Sequence, residues 1–242
     1  MADTQRERSY GRALDQMRPV KLTPGVMKNA DGSCLAEFGD TRVLCTATIE
    51  EAVPQWRRGQ KAGWVTAEYA MLPASTNRRT PREQRGRKGR SMEIERLIGR
   101  SLRTVVDLRK LGELTVTCDC DVIQADGGTR TASITGAWVA LHEALRSWVE
   151  RDRIHRMPIT GQVAAVSMGE VDGLLMLDLD YPEDSHAQVD MNLVGTADGR
   201  IIEVQGTGEK TPFDRDQLNA LLDLGQAGIA DLIRLQAEAV AR

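Results

Sequence analysis

The chain has 242 residues, 41% hydrophobic and 28% charged, enough to bury a sizeable core and free of the biases that mark disordered or fibrous proteins. No apolar run approaches the roughly 20 residues of a membrane span, and the opening Met1-Ala-Asp-Thr-Gln-Arg-Glu-Arg8 is polar rather than a signal peptide, so a soluble cytoplasmic protein with no membrane partner is expected. The formal net charge is only −3, and how the charge is distributed matters more than its sum.

In chain order, Ser33 to Glu37, Arg42 to Glu50 and Trp64 to Leu72 read as strands, with Phe38-Gly39-Asp40-Thr41 as the hairpin turn between the first two. Residues 77–90 are densely basic and nearly free of acids, and their prolines and glycines mark a long loop. Its arginines suit a phosphate backbone; a solvated charged loop is the bland alternative. The loop ends in Gly89-Arg90 at the mouth of a helix. There Ile94, Leu97, Ile98, Leu102, Val105 and Leu108 recur at helical spacing, closed by Gly112. A strand from Leu114 to Gln124 puts Cys118 and Cys120 on one face; with Cys34 and Cys45 they lack any CxxC spacing and read as buried reduced thiols. Ile134, Ala137, Trp138, Leu141, Leu145 and Trp148 mark a second helix.

Further on, Val163 to Met168 and Leu174 to Leu179 form one strand pair, and Val189 to Gly195 and Arg200 to Gln205 another, each around an Asp-Gly turn. A terminal helix runs from Leu218 to Gln236. Strand runs followed by a helix, twice over, imply an α+β protein with mixed sheets, packed helices and an internal pseudo-repeat. Nothing resembles a linker, so residues 1–242 are expected to form a single domain.

Two constellations carry chemistry. Asp126-Gly127-Gly128-Thr129-Arg130 joins a strand to a helix start, where glycines admit a ligand to the backbone, the first amides lack helical partners, and Thr129 and Arg130 add a hydroxyl and a forked cation. That pattern is an oxyanion cradle or, read alone, an N-capped turn. The second is Glu183-Asp184-Ser-His186-Ala-Gln-Val-Asp190. Asp184 follows a strand in a turn and Asp190 interrupts an apolar alternation, so the pair can converge on one hard cation such as magnesium. Otherwise Asp190 faces solvent and Asp184 caps a turn. His142, His155 and His186 are scattered and suggest neither a zinc site nor a triad.

In order and spacing, Gly11-Arg12…Met17-Arg18-Pro19-Val20, Phe38-Gly39-Asp40-Thr41-Arg42, Gly63-Trp64-Val65-Thr66-Ala67-Glu68-Tyr69, Met92-Glu93-Ile94-Glu95-Arg96, Asp119-Cys120-Asp121 through Gly136, Val189-Asp190-Met191-Asn192 and Glu203-Val204-Gln205-Gly206-Thr207-Gly208-Glu209 resemble the ribonuclease PH family along nearly the whole chain. The resemblance implies a phosphorolytic 3′-to-5′ exoribonuclease: inorganic phosphate, the co-substrate, attacks the 3′-terminal phosphodiester and a nucleoside diphosphate leaves. It also implies phosphate ligands at Arg90, Gly128, Thr129 and Arg130, catalytic and magnesium-holding carboxylates at Asp184 and Asp190, and contacts to precursor tRNA through Arg78, Arg79 and Arg82, with Arg85 and Arg87 as further candidates. Ala74 stands where the family usually carries an arginine. The implied assembly is a homohexamer, a trimer of dimers, acting on RNA rather than DNA. Relatives of this fold include non-catalytic ring subunits, but all four of Arg90, Arg130, Asp184 and Asp190 are present here. A P-loop or dinucleotide-binding enzyme is disfavoured because neither glycine fingerprint matches.

Overall fold

In the computed structural model, which describes residues 8–82 and 89–241, the alternating segments of the first half become one five-stranded sheet. Its strands are β1 (Val20–Pro24), β2 (Gly32–Phe38), β3 (Thr41–Glu50), β4 (Trp64–Met71) and β5 (Thr115–Gln124), in the order β1-β2-β3-β5-β4. All neighbours are antiparallel except β4 and β5. A parallel neighbour requires a crossover, supplied here by α1 (Gly89–Thr104) and the short α2 (Leu108–Leu111). Strand β1 has no counterpart among the sequence expectations. It is five residues long and ends at Pro24, whose missing N–H is tolerated because β1 is an edge strand.

The helix expected to run on through Leu108 is interrupted. Val105 and Val106 leave the helix, the Val105 carbonyl accepts from Thr160 N at 2.8 Å, and Val106 forms a bridge with Ile159. Asp107 then restarts the chain as an N-cap, its Oδ1 accepting from the amides of Arg109 and Lys110 at 3.1 Å, and Gly112 caps α2 rather than α1. A β-branched pair before an aspartate is a weak helix interior, and the tertiary bridge decides the break.

Helix α3 (Thr129–Glu150) packs on β2 and β3, its residues Thr131 through Leu141 all buried. Beneath it Cys34, Cys45 and Cys120 lie opposite one another across β2, β3 and β5, and Cys118 lies on the same strand as Cys120. All four cysteines are buried and unpaired, as expected, and burial pushes the Cys34 thiol up to about 12, which keeps it protonated and unreactive.

The second half builds a four-stranded sheet from β6 (Val163–Val171), β7 (Leu174–Leu177), β8 (Val189–Thr196) and β9 (Ile201–Gly208), order β7-β6-β8-β9. The one-turn α4 (Tyr181–Asp184) lies between β7 and β8, and α5 (Arg215–Val240) packs on β6 and β8. This sheet is antiparallel throughout, so the halves share an order of element types, strands then a helix, but not a strand topology. Helix α3 also packs on β6. Gln236, buried in α5, donates through Nε2 to the carbonyls of Thr135 (3.0 Å) and Val163 (2.9 Å), joining the helices to both halves. No helix among the described residues is long and apolar enough to cross a membrane.

Candidate active site

The glycine loop after β5 is held at both ends by one hydroxyl: Thr41 Oγ1 accepts from Asp126 N at 2.9 Å and donates to the Gly127 carbonyl at 2.6 Å. Gly127 and Gly128 have φ of +74° and +64°, the left-handed region that favours glycine. At Gly127 a Cβ would in addition stand 2.6 Å from the Leu179 carbonyl. Because the N-cap of α3 is Gly128, no side chain caps the helix, and its first amides are left to other partners. Thr129 and Arg130 follow at once. Thr129 Oγ1 lies 2.8 Å from the Tyr69 hydroxyl, and Arg130 Nη1 donates to Gln205 Oε1 at 2.8 Å with Glu93 Oε1 at 3.5 Å.

The acids come from the second half. Asp180 and Glu183 close a capping box that sets the single turn of α4, and Asp184 is its last residue. Asp190 sits in β8 opposite Gly169 of β6 and Thr207 of β9. It is partly buried, which does not fit a freely solvated carboxylate on an open sheet face. Burial first, then the neighbouring Asp184 carboxylate, pushes Asp190 up to about 6. Asp184 is open to solvent on one side, yet protein crowds its other sides; that desolvation raises its pKa, and the nearby Glu209 adds to the rise. Arg90 and Arg130 pull both acids back down, which places the two arginines and the two aspartates in one electrostatic field.

Two carboxylates that repel each other while partly desolvated are a fit donor pair for a hard cation, and magnesium takes one or two carboxylates with water and phosphate completing the shell. No cluster of three or more ligating side chains exists among the described residues, so the protein alone would not complete a cage.

Residues 16–146 match the model described as "3′ exoribonuclease family, domain 1", and residues 161–228 match domain 2 of the same family. Ribonuclease PH of Rhodospirillum rubrum is 58% identical over 236 residues, 97% of this chain and 98% of that protein. This chain belongs to the ribonuclease PH family. The family fold also appears in the Archaeoglobus fulgidus exosome with RNA bound to the active site, where one chain aligns with a TM-score of 0.77 at 23% identity, covering 94% of this chain and 91% of that one. An archaeal exosome core aligns with a TM-score of 0.74 at 22% identity, covering 96% and 91%. At these identities the likeness is one of fold.

The family motif at Arg12 and Arg18 has a structural meaning that the residues alone did not disclose. Arg18 is 2% exposed; its Nε and Nη2 grip Asp178 at 2.9 and 2.7 Å, and its Nη1 donates to the Asp126 carbonyl in the glycine loop. Burial works against the Asp178 carboxylate, but Arg18 more than offsets it and holds the group below the usual range. Arg8 and Arg12 meet Glu183 at 2.7 and 2.8 Å. These buried pairs fasten the segment leading to Asp184 against the loop leading to Thr129. Removing one partner would leave an uncompensated buried charge, typically ~3–5 kcal/mol. The run Leu177-Asp178-Leu179-Asp180, acids alternating with apolar residues, is the local hint that buried cations are needed, but it does not say which arginines supply them.

Of the basic loop, Arg78, Arg79 and Arg82 are exposed; the first two lie on a segment closed by Thr80 N donating to the Pro73 carbonyl at 2.8 Å, and Arg82 follows just beyond it. Arg82 lies close enough to Asp121 to lower its pKa against the burial that raises it. Arg85 and Arg87 lie outside the described residues. His186 is exposed, its Nδ1 within 2.8 Å of the Pro182 carbonyl, and is no part of the acid pair.

Proposed function

We propose that Arg90, Gly128, Thr129, Arg130, Asp184 and Asp190 together form a phosphorolytic centre acting on RNA 3′ ends. The observation that carries this is the meeting of a donor-rich cradle from the first half with a carboxylate pair from the second. Phosphate would lie against the α3 amides, the Thr129 hydroxyl and the two guanidiniums. One of its oxygens attacks the phosphorus of the terminal phosphodiester. The bond to the 3′ oxygen of the preceding nucleotide breaks, that oxygen takes up a proton, and a nucleoside 5′-diphosphate departs. The arginines neutralise charge on the attacking anion and orient it in line. Magnesium, held by Asp184 and Asp190, would offset charge on the attacked phosphate and the leaving oxygen. Because neither half supplies the whole set, we regard residues 1–242 as a single catalytic domain.

RNA shortening is therefore expected to require inorganic phosphate and to release diphosphates, and excess diphosphate should drive extension through the same site. Thin-layer separation of products from a 3′-labelled RNA, with and without phosphate, checks this. Monophosphate release in phosphate-free buffer would refute it.

The proposed substrate is the 3′ trailer of precursor tRNA in the cytoplasm, with Arg78, Arg79 and Arg82 along the RNA backbone. For Arg79→Ala/Arg82→Ala, weaker precursor binding is expected, with a salt slope shallower by about 0.7 per lost contact on a single strand. Phosphorolysis of a very short oligonucleotide should hardly change. Titrations at low and moderate salt decide, and an unaltered slope would leave the loop as solvated surface. A homohexamer built as a trimer of dimers is the proposed assembly. Light scattering should return a mass of about six chains, and a monomer mass would exclude it.

A further inference from the structure

Thr129 and Arg130 are each held by a side chain to which the reaction above assigns no role. Tyr69 stands near the end of β4, 4% exposed, with its hydroxyl 2.8 Å from Thr129 Oγ1. A threonine hydroxyl has one proton and two lone pairs. If it donates to the phenol, it has nothing left to offer an anion. If the phenol donates, the threonine proton is free to point into the cradle. Burial raises the Tyr69 pKa, so the phenol keeps its proton at neutral pH.

Gln205 stands in β9, the edge strand beside β8. Its Nε2 donates to Glu93 Oε1 at 3.0 Å and to Glu203 Oε1 at 3.1 Å, and Glu203 also pairs with Arg100 at 2.9 Å. With the amide nitrogen taken by two carboxylates, Oε1 faces Arg130 and accepts from Nη1 at 2.8 Å. The Glu93 carboxylate already pairs with the same nitrogen at a longer 3.5 Å, and without Gln205 it is the group that would draw the guanidinium closer to itself and away from an incoming anion.

We propose that Tyr69 and Gln205 are positioning residues of the phosphate cradle: Tyr69 directs the Thr129 proton toward phosphate, and Gln205 keeps Arg130 from collapsing onto Glu93. The inference rests on the cradle reading. Both residues act through another side chain, and each substitution removes a neutral partner rather than a charge.

The test is a pair of double-mutant cycles read from phosphorolysis rates of a short oligoribonucleotide at varied phosphate. Tyr69→Phe and Gln205→Ala are each expected to lower kcat/KM for phosphate about 3- to 10-fold, mostly in KM, with the KM for the oligonucleotide unmoved. In a Thr129→Ala background, Tyr69→Phe should add less than about twofold, and Gln205→Ala likewise in Arg130→Ala. Glu93→Gln should restore most of the loss in Gln205→Ala, because the competing carboxylate is gone. Each comparison is made within one background, so a small change in melting temperature does not blur it. Fully additive losses in both cycles, or single variants with unaltered phosphate dependence, would overturn the proposal. Unaltered phosphate dependence in Thr129→Ala and Arg130→Ala themselves would remove the cradle reading and the inference with it.

Discussion

Asp190→Asn and Asp184→Asn should each lower turnover by about 10³-fold, the equivalent of ~4 kcal/mol of charge stabilisation lost from the transition state. An amide keeps the shape and a lone pair but cannot neutralise a cation, so fold and RNA binding should persist. Stability provides an independent check. Burial pushes Asp190 up to about 6 in the folded chain from an ordinary 3.8, so between those values the folded state binds more protons than the unfolded one. Stability from this group is then present below about pH 4 and is lost as pH rises through 6. In metal-free buffer at pH 8, Asp190→Asn should therefore melt about 2–6 °C higher than the parent, with the gap closing toward pH 4. Magnesium should raise the melting temperature of the parent at pH 8 and leave that of the variant unchanged. Calorimetry and steady-state rates check all three statements. Undiminished turnover would sink the metal-holding role, and a variant melting lower at pH 8 would make the carboxylate a structural one.

Arg130→Ala and Arg90→Ala should reduce kcat/KM for phosphate by about 10- to 100-fold, since a hydrogen bond to a charged group contributes ~1.5–3 kcal/mol. Affinity for a short oligonucleotide should remain near that of the parent. Arg130→Lys should recover only part of the loss, because an ammonium lacks the planar fork. There is also a pH signature. Both arginines lower the pKa values of Asp184 and Asp190, so removing either should carry the acid limb of the rate profile to higher pH. An acid limb that stays in place would mean that these arginines and aspartates do not share a site in solution.

Much was written locally in this chain. The alternation of β2 to β5, the glycine turns, and the helical periods of α3 and α5 follow from side-chain pattern and turn chemistry within a few residues. The donor set of the cradle was also legible, because two glycines with Thr129 and Arg130 at a helix start are neighbours in sequence. Three features were not. Strand β1 is short and proline-ended, and pairing with β2 is what makes it a strand. The break after Thr104 depends on Val106 meeting Ile159, more than fifty positions away. Arg18, Asp178 and Asp126 come together across 160 and 108 residues, and their charges make sense only once all three are enclosed. Local hydrogen bonding and hydrophobic period are properties of a segment and can be read from it. The raised pKa of Asp190, the Tyr69–Thr129 and Gln205–Arg130 contacts, and the convergence of cradle and carboxylates depend on which distant groups share a desolvated space, and only the packed chain decides that.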